Sequence, residues 1–369
     1  MKNSISILGF TTFVMLLIFA AILLLHFRKN KPGSYLLSAL FFSDALLIFN
    51  MLANSNRLIK NLLPEKYSLY VNGMPLLIGA LLYLYTKSIT LRNYKFQKNE
   101  FIHFTPFLFL YVAYWITYFV SGNLQDIHIS INFVKTIFSN IVILFYIIKS
   151  LHLLKKYENE IKDYYSFLHK TNLNWLKVIL FAFLGLWAIH AVSVISGQYF
   201  VTNGDWIFSS LALLVNFSFA VTVFSKSIVR PDALHGTEIK FVKTVNGKNN
   251  FTESQKAELN RKLDLYMSGE KPYKNQSFTI NELAKGIAIP VGVISEHMNK
   301  NLGKNFFEFV NEYRIEEAKR MLISNEYKES TILEILYEAG FNSKSVFNSL
   351  FKTDTNLTPK EFRRRYSKS

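Results

Sequence analysis

The stretch GFNSKSVFNSLFKTDTNLTPKEFR, residues 340–363, decides how the end of this chain folds. Phe347, Phe351 and Phe362 supply apolar positions at helical spacing, and Asn356 is a residue type that tolerates a left-handed helix end. Thr358-Pro359-Lys360-Glu361 has the form of a helix start. The Thr hydroxyl can accept from the third residue's backbone N–H, the Glu can reach back to the cap, and Pro359 presets φ at the first helical position. The same device stands at Thr279-Ile280-Asn281-Glu282 and at Thr331-Ile332-Leu333-Glu334.

Working outward, the segment proves to be the second copy of a repeat. At an offset of 52, Thr279, Ile280, Glu282 and Leu283 meet Thr331, Ile332, Glu334 and Ile335. At an offset of 53, Ile294, Met298, Gly303, Glu308 and Phe309 meet Phe347, Phe351, Asn356, Glu361 and Phe362. One residue has entered the second turn while the apolar positions are kept. Between the copies, 305–323 carries Phe306, Phe309, Val310, Tyr313, Ala318, Met321 and Leu322 at helical spacing. Such a rigid helix is about 25 Å long. With the width of the units added, it can set two reading helices about 34 Å apart, in successive major-groove segments.

Residues 340–352 followed by 357–363 resemble the carboxyl-terminal signature of AraC/XylS-type transcription regulators, and the resemblance covers roughly 278–366. It implies a tandem helix-turn-helix domain whose second helices, 290–301 and 343–352, enter the major groove of double-stranded DNA. Carried across, the base-reading positions are Gly292, Ser295, Glu296 and Asn299 in the first unit, with Lys344, Ser345, Asn348 and Ser349 in the second. Lys donates to guanine, Asn pairs with adenine, and Ser serves either. Lys300, Lys304, Lys352, Lys360 and Arg363 are the phosphate contacts that set register. The first unit departs from the pattern. Ile289 stands where a Ser cap is common, Gly292 weakens the helix, and Glu296 points an anion at DNA. In the second unit Leu336 replaces the usual Ala, which predicts slightly looser packing.

The rest of the chain is of another kind. The 369 residues are half apolar with a net charge of +16, yet from Lys226 onward 24 Lys and Arg face 18 Asp and Glu. That excess suits a nucleic-acid partner without proving one. Seven segments approach or exceed the roughly 20 apolar residues that span hydrocarbon: about 4–27, 33–54, 69–90, 101–121, 131–152, 175–196 and 206–228. The first ends in Arg28-Lys29-Asn30-Lys31 rather than at a small-residue cleavage site, so it is expected to be retained. With the amino terminus outside, the inner loops hold twelve Lys and Arg and the outer loops only Arg57, Lys60 and Lys66. This bias places the tail in the cytoplasm and the bundle in the inner membrane.

Asp44, Asn50, His103, Lys135, His190 and Asn216 fall inside these segments. Asp44 and His190 are the candidate sensor site, because ionisable groups in a membrane are costly. His103 and Lys135 lie near span ends where they can snorkel, and Asn216 can bond a neighbouring helix. The only Lys in the last span is Lys226 at its cytoplasmic end, which removes a retinal protein. Pro75 and Pro106 have no counterpart in later spans, so a transporter with inverted repeats is not evident. The chain has no cysteine, and it shows no phosphate-binding Gly loop, metal-ligand spacing or nucleophile motif, so neither a cofactor, a metal nor an enzyme activity is expected.

The expected architecture is therefore all-α: a seven-helix transmembrane bundle over 1–228, a linker over 229–272 with an amphipathic helix at 252–268, and a DNA-binding domain over 273–369. Within that domain lie a first unit at 279–303, a joining helix at 305–323 and a second unit at 331–366. The expected function is a membrane-anchored, sequence-specific transcription regulator whose bundle senses a ligand or membrane state. Its partners are DNA, the lipid bilayer, a small-molecule signal and a second copy of the chain. The alternative is a membrane receptor or transporter whose tail is a protein-interaction module.

Overall fold

A computed structural model describes residues 2–26, 31–55, 71, 73–91, 94–121, 130–166, 173–195, 205–229 and 252–366. Among them are fourteen α-helices and no β-strand, only one isolated bridge between Tyr165 and Thr279. The chain divides into two compact units, Met1–Lys156 with Leu173–Glu238, and Tyr157–Asn172 with Ile239–Ser369.

In the first unit, α1 (Lys2–His26), α2 (Lys31–Ser55), α3 (Met74–Thr90), α4 (Thr105–Ser121), α5 (Ser130–Lys162), α6 (Asn174–Ile195) and α7 (Asp205–Val229) fall on the seven apolar segments. Three stretches are long and apolar enough to cross a membrane among the described residues: Ser6–Leu25, Pro32–Ala53 and Ile137–Lys162. Met74–Thr90, Asn174–Gly185 and Leu213–Thr222 are shorter apolar helical stretches. Pro75 and Pro106 lie in the first turns of α3 and α4, where the missing N–H costs nothing, so neither breaks a helix.

The helices bury one apolar stripe and expose another. On α1, Leu16, Phe19, Ala20 and Leu23 are buried at the spacing of one helix face, while Ile18, Leu24 and Leu25 are exposed. On α4 the exposed stripe is Leu108, Phe109, Val112, Ile116 and Phe119, and on α5 it is Ile141, Phe145 and Ile148. A helix apolar on both faces suits hydrocarbon rather than water. Hydroxyls inside these helices are satisfied locally: Thr12, Ser43, Thr86 and Ser150 each donate to the carbonyl four residues back at 2.7–2.8 Å. Ser38 Oγ instead crosses to Ala20 O at 2.9 Å and ties α2 to α1.

Asp44 is buried on α2. The side chains of His190 and Lys135 lie outside the described residues, as does the linker 230–251. His103 Nδ1 is 3.2 Å from Tyr146 Oη. Asn216 buries its Oδ1 without a hydrogen-bond partner among the described residues.

The second unit follows its caps closely. It contains α8 (Glu253–Gly269), α9 (Ile280–Gly286), α10 (Val291–His297), α11 (Phe306–Ile323), α12 (Ile332–Glu338), α13 (Lys344–Thr355) and α14 (Pro359–Tyr366). Thr252, Thr279, Thr331 and Thr358 each accept from the N–H three residues on at 3.1–3.3 Å, and the paired Gln or Glu accepts from each cap's own N–H at 2.6–3.0 Å. Asn305 caps α11 in the same way.

Two apolar cores result, and α11 belongs to both. Its Phe306, Phe309 and Val310 close the first core with Leu259, Leu263 and Met267 of α8, Leu283 of α9, and Ile294 and Met298. Its Ile315, Ala318, Met321 and Leu322 close the second with Ile335, Leu336, Phe347 and Phe351. Leu336, for which looser packing was expected, is fully buried.

The second unit also claims a segment that the boundary at residue 228 leaves with the membrane part. Tyr157–Asn172 belongs to it, so the last turn of α5 and the residues after it are part of this unit. Tyr164 O accepts the N–H of Ile280 at 3.1 Å, and Phe278 O accepts from Ser166 N at 3.3 Å and Ser166 Oγ at 2.6 Å. Tyr164 itself is buried in the first core.

Candidate nucleic-acid interface

The two helix-turn-helix units can be superposed residue by residue in sequence, and the structure shows where they diverge. Ala288 and Gly340 occupy the same turn position, and both have positive φ, 53° and 96°. The residue inserted in the second turn is then Asn342, because Pro290 and Ser343 are the next equivalent helix starts. Gly340 is required for two reasons. Its φ is one that side-chain-bearing residues avoid, and an added Cβ would lie 2.2 Å from Tyr273 O and 2.9 Å from Lys274 Cα. In the first unit, Ala288 bears the conformational cost that glycine avoids.

The second of the two helices expected to read DNA, α13, is capped at both ends. Ser343 Oγ accepts from Val346 N at 3.4 Å, and the helix ends on Asn356 in the left-handed region at φ 57°. Phe347 and Phe351 are fully buried, which turns Lys344, Ser345, Asn348 and Ser349 outward, and all four are exposed. A Lys, an Asn and two Ser on one exposed helix face are groups that can address base edges.

The first reading helix is built differently. Pro290 gives α10 no side-chain cap, and after His297 the helix widens into a π turn over Met298–Leu302 before Gly303 ends it at φ 66°. Ser295 is 7% exposed. Asn299 Nδ2 lies 3.4 Å from both Ser295 Oγ and Asp163 Oδ1. Glu296 is spent on Lys300, whose Nζ is 2.6 Å from Glu296 Oε1. Gly292 is half-buried. His297 is fully buried between Asn260 Oδ1 at 2.7 Å and Asn301 Nδ2 at 3.0 Å. Burial, aided by Lys256, pulls its pKa below the usual histidine value, so the neutral ring is the form that fits.

The phosphate-contact set divides as well. Lys352 and Lys360 are exposed, whereas Lys304 pairs with Glu312 at 2.6 Å. Arg363 Nη1 donates to Ser330 O at 2.7 Å, so this side chain also closes the second unit onto the loop before α12. Exposed Arg364 and Arg365 follow it, a basic helix end that the motif alone did not single out. A run of cations in the last turn of α14 was its only signal.

A buried cation lies at the centre of the domain. Arg314 of α11 is 2% exposed, and Nε donates to Tyr273 O at 2.7 Å. Nη1 donates to Ser166 O at 3.0 Å and Asn311 Oδ1 at 3.2 Å, and Nη2 to Ser166 Oγ at 3.1 Å and Asn275 O at 2.9 Å. Burial pulls the guanidinium down to about 9, and five acceptors without a carboxylate hold the charge. Next to it, Glu317 anchors the turn before α9 through Lys274 at 3.0 Å and pairs with Arg320 of its own helix at 2.9 Å. The Arg320 hydrogen bond, with Lys274, holds the Glu317 carboxyl at about 2.

The family described as a helix-turn-helix domain matches residues 283–365. An uncharacterized HTH-type transcriptional regulator in the cgkA 5' region of Pseudoalteromonas carrageenovora is 35% identical over 85 residues, which is 22% of this chain and 48% of that protein. The HTH-type transcriptional activator RhaS of Mannheimia succiniciproducens is 30% identical over 82 residues, 22% of this chain and 30% of RhaS. YdeC of Bacillus subtilis, an uncharacterized HTH-type regulator, is 28% identical over 89 residues, 24% of this chain and 30% of that protein. The chain thus spans less than half the length of each of these relatives, and no solved structure matches. The carboxyl-terminal part of the chain carries an AraC-type helix-turn-helix domain, similar to those of HTH-type transcriptional regulators.

Proposed function

We propose that the chain is a membrane-anchored transcription regulator that reads DNA sequence from the cytoplasmic face of the inner membrane, with the helices of 1–228 serving as a seven-span anchor and sensor. One observation carries the DNA-reading part: α13 is capped at both ends, buries Phe347 and Phe351, and exposes Lys344, Ser345, Asn348 and Ser349 together. Lys352 and Lys360 are exposed cations for the flanking phosphates. The anchoring part is supported by three stretches with spanning length and apolarity, and by the outward stripes of α1, α4 and α5. Buried Asp44 is the sensor residue nearest to hand, and His190 is its partner in this proposal. A small-molecule signal and pairing with a second copy complete the reading.

The test is a double substitution in the full chain, Lys344→Ala with Asn348→Ala. Loss of two base contacts costs about 1–3 kcal/mol each in discrimination, so preference for the selected site falls roughly a hundredfold while salt-dependent nonspecific binding remains. Retained selectivity would remove α13 as the reader.

A further inference from the structure

The repeat provides its own control for what covers a reading helix. Ser295 and Asn299 stand where Asn348 and Lys352 stand in the second unit. Asn348 and Lys352 are exposed, but Ser295 is 7% exposed and hydrogen-bonded to Asn299, which in turn meets the carboxylate of Asp163. Two segments distinguish the first core from the second: α8, whose Asn260 meets His297, and Tyr157–Ser166, whose Asp163 Oδ1 lies 3.4 Å from Asn299 Nδ2.

Tyr157–Ser166 is built in rather than draped. Tyr157, Ile161, Tyr164 and Ser166 are buried, and Tyr164 lies in the same core as Val291, Ile294 and Met298 of the first reading helix. Its backbone pairs with 278–280, so that the N–H of Ile280 at the start of α9 finds its acceptor in Tyr164 O. Ser166 supplies two of the five acceptors of buried Arg314, one from its carbonyl and one from its hydroxyl. The segment also carries Glu158, Glu160 and Asp163 against the single cation Lys162, a net negative charge that repels a phosphate backbone. Its residues 157–162 are the end of α5, an unbroken helix of 33 residues and about 50 Å.

We infer that Tyr157–Ser166 is an autoinhibitory cap on the first reading helix, and that displacement of α5 withdraws it. Docked, the cap leaves Ser295 buried and ties the exposed Asn299 to Asp163, so DNA is engaged through the second unit alone. Withdrawn, it frees the first reader and brings both units onto successive major-groove segments. This inference rests on the DNA-binding reading proposed above. The Arg314 socket gives the cap two discrete states, because the guanidinium either holds Ser166 or must replace it.

The experiment uses the full chain in nanodiscs of phosphatidylethanolamine and phosphatidylglycerol, with a duplex selected by the same preparation. Hydroxyl-radical footprinting is read alongside hydrogen exchange of the Ile280 amide. Ser166→Pro removes the N–H and hydroxyl that meet Phe278 O, and leaves every residue of both helix-turn-helix units in place. Asp163→Lys changes only the charge beside Asn299 and keeps the core. The wild-type chain is expected to protect one major-groove segment with the Ile280 amide slow to exchange. Ser166→Pro is expected to protect two successive segments and to bind about tenfold more tightly with a steeper salt dependence, whereas Asp163→Lys, which leaves the cap docked, is expected to keep one protected segment. Faster Ile280 exchange is expected in Ser166→Pro. Two protected segments in the wild type with Ile280 still slow would overturn the inference and leave the DNA-binding reading intact. One segment in Ser166→Pro, with Ile280 released, would do the same. No protection by any of the three would overturn the DNA-binding reading together with the cap.

Discussion

Gly340→Ala puts a methyl group where the chain already has backbone. The new Cβ would lie 2.2 Å from Tyr273 O, 2.9 Å from Lys274 Cα and 3.1 Å from Arg314 Nε. None of these is the free end of a flexible side chain. Tyr273 O must retreat, and it is the acceptor of Arg314 Nε at 2.7 Å. A hydrogen bond to a buried charge contributes about 1.5–3 kcal/mol. Holding a residue with a Cβ at φ 96° adds about 1–2 kcal/mol. The sum is about 3–5 kcal/mol, a large part of the roughly 5–15 kcal/mol that stabilises a domain. Gly303→Ala is the internal control, since its φ of 66° is also left-handed but nothing lies within 4 Å of the added Cβ, so only about 1 kcal/mol is expected. The assay is denaturant-dependent hydrogen exchange of the full chain in nanodiscs, following the Phe341 amide, which donates to Leu336 O at 2.9 Å. If Gly340→Ala costs no more than Gly303→Ala, the steric argument at this turn is wrong.

The companion turn predicts the opposite sign. Ala288→Gly relieves a left-handed residue at φ 53°, and a gain of up to about 1 kcal/mol is expected for the first unit, with a loss of stability counting against the assignment. Acid should act through Glu317. Its carboxyl is held at about 2 against an ordinary 4.5, so its stabilisation is fully present above pH 4.5 and is lost as pH falls from 4.5 towards 2. Allowing for its partly exposed partners, the loss is about 1–2 kcal/mol. Glu317→Gln should flatten this acid limb in a thermal-melt series, and an unchanged limb would show that other groups set it.

The helix starts were legible because capping is local. A Thr and a Glu three residues apart meet within one turn, so Thr279, Thr331 and Thr358 needed no tertiary information. Gly303 and Asn356 were legible for the same reason, each ending a helix in the left-handed region. The outward set on α13 followed from Phe347 and Phe351, since two buried positions on a short helix fix the opposite face. What escaped the sequence is non-local. Asn299 meets Asp163, 136 positions away, and the role of Ser166 depends on Arg314, 148 positions away. Residues 155–170 read as a cationic loop, and the one hint in them was Tyr164-Tyr165, aromatic residues with no place in a solvated connection. The charge of Lys300 and Lys304 is visible in sequence, whereas their pairing with Glu296 and Glu312 is not.

An intact chain, still in its membrane, is expected to recognise DNA. The direct measurement is capture of a randomised duplex pool on sealed inside-out membranes bearing the full chain, with blotting to confirm its length. A discrete enriched sequence is predicted, with an association constant that falls steeply as salt rises because Lys and Arg displace counterions from phosphate. Binding that is indifferent to salt, or that follows only a shorter soluble fragment, would contradict the account.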